Sequence, residues 1–189
     1  MRKIIVGSLI GSILLFGWQS LSWTALHIHD NAYQYTSSQE TLLTTIQNNL
    51  PNEGQYILPS TPPNSSADAM DSLGRKMNGN PWAIITYHKS YEYNMVMPII
   101  RGFLIALVCV LLVCLVIQKA DKKTFLSIFG TVLTFGLVCF LFVWYNQHNW
   151  FHTPWTILKG ELIDSIVGWS LCGLWLGWWY NRKKRIVVN

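Results

Sequence analysis

The sequence predicts an all-α transmembrane four-helix bundle carrying a small extracytoplasmic α/β cap. Three observations lead there. Of the 189 residues, 51% are hydrophobic and only 12% are charged, roughly half the charge of an ordinary soluble domain. The uncharged residues gather into four runs of bilayer-crossing length, where about 20 helical residues cover a hydrocarbon core of about 30 Å. Most of the 14 Lys and Arg residues fall in very short segments flanking those runs. Such a composition excludes disorder, a collagen-like repeat and a secreted disulfide scaffold.

The first run, Ile4 to Leu26, is uncharged and follows Met1-Arg2-Lys3. It is longer than a signal-peptide core and no small-x-small site follows it, so it reads as a retained span over 1–26. The second span covers 98–117 and contains one charge, Arg101; the third, 125–145, has none. The fourth run, Ile163 to Tyr180, holds Asp164 and becomes long enough when extended back to Glu161, giving a span over 161–180. Lipid offers the backbone no hydrogen-bond partners, so each span must be a helix. The connections are a loop over 118–124, an outer interfacial loop over 146–160 and a basic tail over 181–189.

Orientation follows from the basic residues. Arg2 and Lys3 precede the first span, Lys119, Lys122 and Lys123 link the second to the third, and Arg182, Lys183, Lys184 and Arg185 follow the fourth. With four spans all nine lie on one side, which places both termini in the cytoplasm and 27–97 outside. The net charge of +5 arises from this asymmetry; no basic groove interleaved with aromatics suggests nucleic acid, whereas the tail could touch anionic lipid. Trp18, Trp23, Trp144, Trp150 and Trp155 fall at the outer interface and Trp175, Trp178 and Trp179 at the inner one, as membrane anchors do. Cys109, Cys114, Cys139 and Cys172 all lie within spans and read as small apolar packing residues.

Within 27–97 the pattern predicts an α-β-α-β order. Ser37 and Glu40 suggest a capping box before Leu42, Leu43, Ile46 and Leu50 at helical spacing. Gln55 to Leu58 is a strand candidate, a second helix starts at Ser66 and reaches about Met77, and Trp82 to His88 is a second strand.

Chemistry is thinly signalled. No Gly-x-Ser-x-Gly elbow, P-loop or Gly-rich dinucleotide turn occurs, which argues against an enzyme. All five histidines fall outside the spans, on the exported side: His27, His29, His88, His148 and His152. With Met95 and Met97 as soft donors they make a Cu or Zn site conceivable, although interfacial loops are rich in His for ordinary reasons and no cofactor is expected. Two features rise above background. Arg101 and Asp164 share a depth near the outer ends of their spans, so an intramembrane ion pair is expected, with Glu161 as a second acceptor; a proton-relay or transport role and simple snorkelling of Arg101 are the alternatives. Gly7-x3-Gly11 and Gly173-x3-Gly177 allow close helix packing at matching depth.

The segments Gly17-Trp18-Gln19-Ser20-Leu21-Ser22-Trp23, Arg101-Gly102-Phe103-Leu104 and Asp164-Ser165-Ile166-Val167-Gly168-Trp169 resemble an uncharacterised family of bacterial four-span inner-membrane proteins. The resemblance implies a bacterial cytoplasmic membrane and transfers no activity. The expected function is that of a non-enzymatic accessory or interaction subunit, in contact with the bilayer and with other membrane proteins or itself. The alternative is handling of a metal ion or small solute at the outer face.

Overall fold

Three helices are long and apolar enough to cross a membrane: α1 (Arg2–Thr24), α4 (Val96–Lys119) and the continuous helix Phe125–Phe151. The last is built from α5 (Phe125–Cys139), a π-helical segment (Phe140–Tyr145) and α6 (Asn146–Phe151). A fourth long helix, α7 (Trp155–Asn181), packs against both α1 and α5. Between α1 and α4 the chain forms α2 (Gln39–Asn49), β1 (Gly54–Leu58), α3 (Ala67–Met77) and β2 (Ala83–Tyr87). The computed structural model describes residues 1–121 and 123–182; Lys122 and 183–189, most of the basic tail expected over 181–189, lie outside the described residues.

The chain divides into two compact units. One comprises Met1–Gln34 and the chain from Asn94 onward. Its long helices alternate in direction, because Gly7 near the start of α1 faces Leu176 and Trp179 of α7 and Cys114 of α4, while Gly177 of α7 faces Phe125 at the start of α5. Val110, Cys114, Ile117, Ile128, Val132, Cys172 and Leu176 form a continuous buried core from α4, α5 and α7. The outward faces are apolar as well: Ile5, Leu9, Ile105, Val108, Leu112, Leu126 and Phe142 are all exposed. Helices that are hydrophobic all round suit a lipid solvent rather than water.

Small residues set the helix spacing. A Cβ on Gly11 would lie 2.9 Å from Val110 and 3.1 Å from Cys172, and one on Gly177 would lie 2.9 Å from the Phe125 ring. Gly7 and Gly11 therefore admit α4 and α7 to α1, whereas Gly173 and Gly177 admit α5, through Phe129 and Phe125. The two glycine pairs serve different helix contacts and do not face each other.

Several boundaries differ from those expected. The helix starting at Phe125 runs on to Phe151 and α7 begins at Trp155, so the loop expected over 146–160 shrinks to 152–154. His152, at φ 49°, ends α6 in the left-handed region, and Pro154, which has no N–H to continue a helix, supplies the start of α7. Asp164 thus sits more than two turns inside α7 rather than one. At the other junction, 27–34 belong to the helical unit instead of the α/β segment.

The second unit, Tyr35–Tyr93, holds the expected α-β-α-β order. Its strands pair antiparallel, Gly54 opposite Tyr87 through Leu58 opposite Ala83. The Glu53 carboxylate accepts from the Lys89 N–H at 2.7 Å and fastens the open end of this ribbon. Ser66 caps α3 by accepting from the Ala69 N–H. The capping box expected from Ser37 and Glu40 does not form: the N-cap of α2 is Ser38, without a side-chain cap bond, and the Ser38 N–H instead donates to the Thr36 hydroxyl.

Because the Gly11 contacts leave no room for a larger side chain, Gly11→Val should destabilise the helical unit by about 1–3 kcal/mol through overpacking. Gly17→Ala, with nothing within 4 Å of the added carbon, should not. Unfolding of the detergent-solubilised protein compares the two, and equal losses would contradict this packing.

Candidate functional site

The chain leaving α1 reverses over a few residues. The Ala25 and Leu26 N–H groups both donate to the Leu21 carbonyl at 2.9 Å, and His27 takes a left-handed conformation with φ 54°. Non-glycine residues adopt that region sparingly, with His among the more tolerant. The exposed His27 ring contacts the Asp30 carboxylate at 3.1 Å. The reversal lays His29 back against the helical unit, where it is 5% exposed.

There His29 meets Asp164 of α7. The His29 Nε2 and Asp164 Oδ2 atoms lie 3.0 Å apart, and Asp164 Oδ1 accepts from the Trp18 indole N–H of α1 at 3.0 Å. Each carboxylate oxygen therefore has a donor when Asp164 is ionised and Nε2 carries the imidazole proton. The Trp23 ring stacks on His29 with centroids 4.0 Å apart and planes 7° from parallel, covering one face of the imidazole. The ring edge rests on Gly160: a Cβ there would stand 2.6 Å from His29 Nδ1 and Cε1. Glu161, half-buried on α7, lies within electrostatic reach of both His29 and Asp164. His29 Nδ1 and the Ser22 hydroxyl are buried without hydrogen-bond partners among the described residues.

This arrangement revises the ion pair expected between Arg101 and Asp164. Both Asp164 oxygens are engaged by α1 and the turn that follows it, and the Asp164 side chain is only 10% exposed. At the level of Arg101, α4 turns Gly102 toward Phe16 of α1. Arg101 itself is exposed and, among the described residues, in no ion pair. An Arg in the second turn of a spanning helix can extend its charge to the interface along an apolar stem, so it needs no buried carboxylate. Glu161 joins Asp164 and His29 instead of accepting from Arg101.

His148 Nδ1 bonds the Thr153 carbonyl at 2.8 Å, and its ring packs beside Tyr145 and Trp155. His152 terminates α6. His88 follows β2 in the second unit, and Met95 and Met97 are exposed around the start of α4. Among the described residues, no three His, Cys, Asp or Glu side chains form a group able to hold a metal ion.

Trp18 and His29 are the site residues that sequence reasoning failed to connect to Asp164. The available signal was the rule that a carboxylate inside an apolar helix requires donors, and that neutral Trp and His can supply them as well as Arg. What the cluster does physically is clamp three pieces of chain, α1, its exit turn and α7, around one desolvated carboxylate.

Leaving a buried donor without its acceptor typically costs about 1–3 kcal/mol, so Asp164→Ala, which strips the acceptor from both Trp18 and His29, should lose stability on that scale, while Arg101→Gln should stay within about 0.5 kcal/mol. His29→Ala and Asp164→Ala should be coupled by about 0.5–3 kcal/mol in a double-mutant cycle, with Arg101→Gln and Asp164→Ala additive. Thermal unfolding in one detergent reads all of these; coupling of Arg101 with Asp164 would refute the assignment. Comparison with known proteins found no matching family model, curated protein or solved structure.

Proposed function

We propose that the protein is a four-span membrane protein of a bacterial inner membrane, acting as a non-enzymatic accessory or interaction subunit. In this reading α7 is the fourth span, both termini are cytoplasmic and the unit Tyr35–Tyr93 is exported. The orientation is supported by Arg2, Lys3, Lys119, Lys123 and Arg182, which belong to the ends of helices that meet at one end of the helical unit.

One observation carries the interaction role. The unit Tyr35–Tyr93 exposes apolar side chains, including Leu42, Leu43, Ile57, Met70 and Trp82. It also has a groove of about 410 Å³ between the Pro59–Pro63 loop and Met70, Leu73 and Met77 of α3. Exposed apolar surface of this kind commonly marks an interaction site. Partners other than lipid would be membrane proteins or a second copy of the chain.

A second reading, handling of a metal ion or small solute at the outer face, is supported by the buried Nδ1 of His29, which has no hydrogen-bond partner among the described residues.

Reporter fusions at Asn189 and within 60–66 should report opposite sides of the membrane; agreement between them would overturn the topology. A photo-crosslinking residue at Leu73 or Trp82 should trap a discrete membrane-protein adduct in living cells, and one at the exposed Gln47 should not. Equal labelling from all three positions would refute the interaction role. For the second reading, protein purified without chelator from metal-replete cells should carry stoichiometric Cu or Zn, and substoichiometric metal would count against it.

A further inference from the structure

At the end where α1 begins and α7 finishes, two cations are held on an aromatic shelf. The Arg182 guanidinium carbon stands 5.1 Å from the Trp179 ring centroid and 5.6 Å from that of Trp178. Lys3 Nζ donates to the Tyr180 carbonyl at 3.1 Å and lies 5.8 Å from the Tyr180 ring centroid. The Trp179 indole N–H donates to the Lys3 carbonyl at 2.9 Å, so both cations sit against the Trp178–Tyr180 segment of α7, Arg182 on its indoles and Lys3 on Tyr180. A further rung, from the Trp175 indole N–H to the Gly7 carbonyl at 3.1 Å, keeps α1 in register with that shelf. Neither Lys3 nor Arg182 forms an ion pair with a carboxylate among the described residues.

The surrounding charge among the described residues is predominantly positive. Arg2, Lys119 and Lys123 belong to the same end of the unit, and its acidic residue is Asp121, in the link between α4 and α5. Trp178 is half exposed, as an indole at a membrane–water boundary is. Two restrained, carboxylate-free cations at the end of membrane-length helices match a phosphate in chemistry: Arg offers a planar fork of donors and Lys a compact charge.

We propose that Lys3 and Arg182, on the Trp178–Trp179–Tyr180 shelf, bind the phosphate of an anionic lipid headgroup. The inference rests on the membrane location and not on the interaction role of the α/β unit. A lipid is the occupant because the site opens at the end of an apolar, lipid-facing helix surface, where acyl chains can lie along the same helices.

Delipidated full-length protein, titrated with phosphatidylglycerol or phosphatidylcholine of identical acyl chains and read by native mass spectrometry, tests this. Wild type should prefer phosphatidylglycerol, and Lys3→Gln/Arg182→Gln should lower that preference by about thirtyfold, at roughly fivefold per cation near a membrane surface. Lys183→Gln/Lys184→Gln/Arg185→Gln should retain most of it, and Arg182→Lys should fall between. All variants are surface changes, so matching melting temperatures in neutral detergent confirm that folding is intact; a Lys3/Arg182 variant that fails to fold leaves the single Arg182→Lys to decide. Unchanged preference in the Lys3/Arg182 variants, or loss confined to the tail variant, would overturn the site. Binding of inorganic phosphate as strong as that of the lipid would overturn the lipid as its occupant.

Discussion

A carboxylate buried inside a largely apolar helix is the constraint on which this architecture depends. Left without partners, the Asp164 side chain would carry a desolvation penalty of several kcal/mol. It is satisfied by two donors from another part of the chain, the Trp18 indole and the His29 imidazole. Meeting that demand dictates other local choices. The chain must reverse directly after α1, which it does through left-handed His27. Residue 160 must be glycine, because a Cβ would occupy the space of the imidazole edge. Trp23, five residues after Trp18, lands on the imidazole face and keeps solvent from it. An interaction involving two donors and one acceptor thus determines how α1, its exit turn and α7 fit together.

Much of the helical architecture was legible because hydropathy over about 20 residues is a strong physical signal. Ile4–Leu26, 98–117 and 125–145 each fall largely within an observed helix. The ends were less legible, and for a definite reason. Trp155-Thr156-Ile157-Leu158-Lys159-Gly160 reads as the end of an interfacial loop by polarity, yet Leu158 and Gly160 are buried and the stretch is helical. Thr156, Lys159 and Gly160 lower its average hydropathy, and Gly160 is required where the helix meets His29, so the average misjudges it. The capping box at Ser37 and Glu40 failed at a finer level: the helix starts one residue later than the motif requires, and local hydroxyls compete for the same N–H groups.

The pairing of Arg101 with Asp164 illustrates a different limit. Depth along each helix can be inferred from sequence: Arg101 lies in the second turn of α4 and Asp164 in the first half of α7. Rotation about the helix axis and the order of helices around the unit cannot be inferred from depth. Phe16 stands opposite Gly102, so α4 meets α1 beside the Arg101 position, and α1 brings Trp18 to the carboxylate first. Opposite formal charge was therefore a weaker guide than the count of neutral donors on the intervening helix. Charge identity ranks candidates only after geometry has brought them within reach.

The two ends of the helical unit solve the problem of polarity in an apolar environment by opposite means. At one end the charge is buried and neutralised by hydrogen bonds within the protein, leaving Asp164 and His29 almost inaccessible. At the other, charge is kept at the surface and supported from behind by rings and carbonyls, leaving the outward donors of Lys3 and Arg182 without protein carboxylates among the described residues. Indoles serve both strategies. Trp18 donates to a carboxylate, whereas Trp175 and Trp179 donate to the α1 carbonyls and present their faces to Arg182 or to each other. The abundance of Trp, ten residues in this chain, follows from the same need: an indole combines a large apolar face with one N–H, which allows a helix otherwise short of polar groups to hold its neighbours at defined points. α1 is stitched to α7 by three such indole bonds, one near its exit turn and two near its start, and these bonds set the register in which the smaller glycine contacts can close.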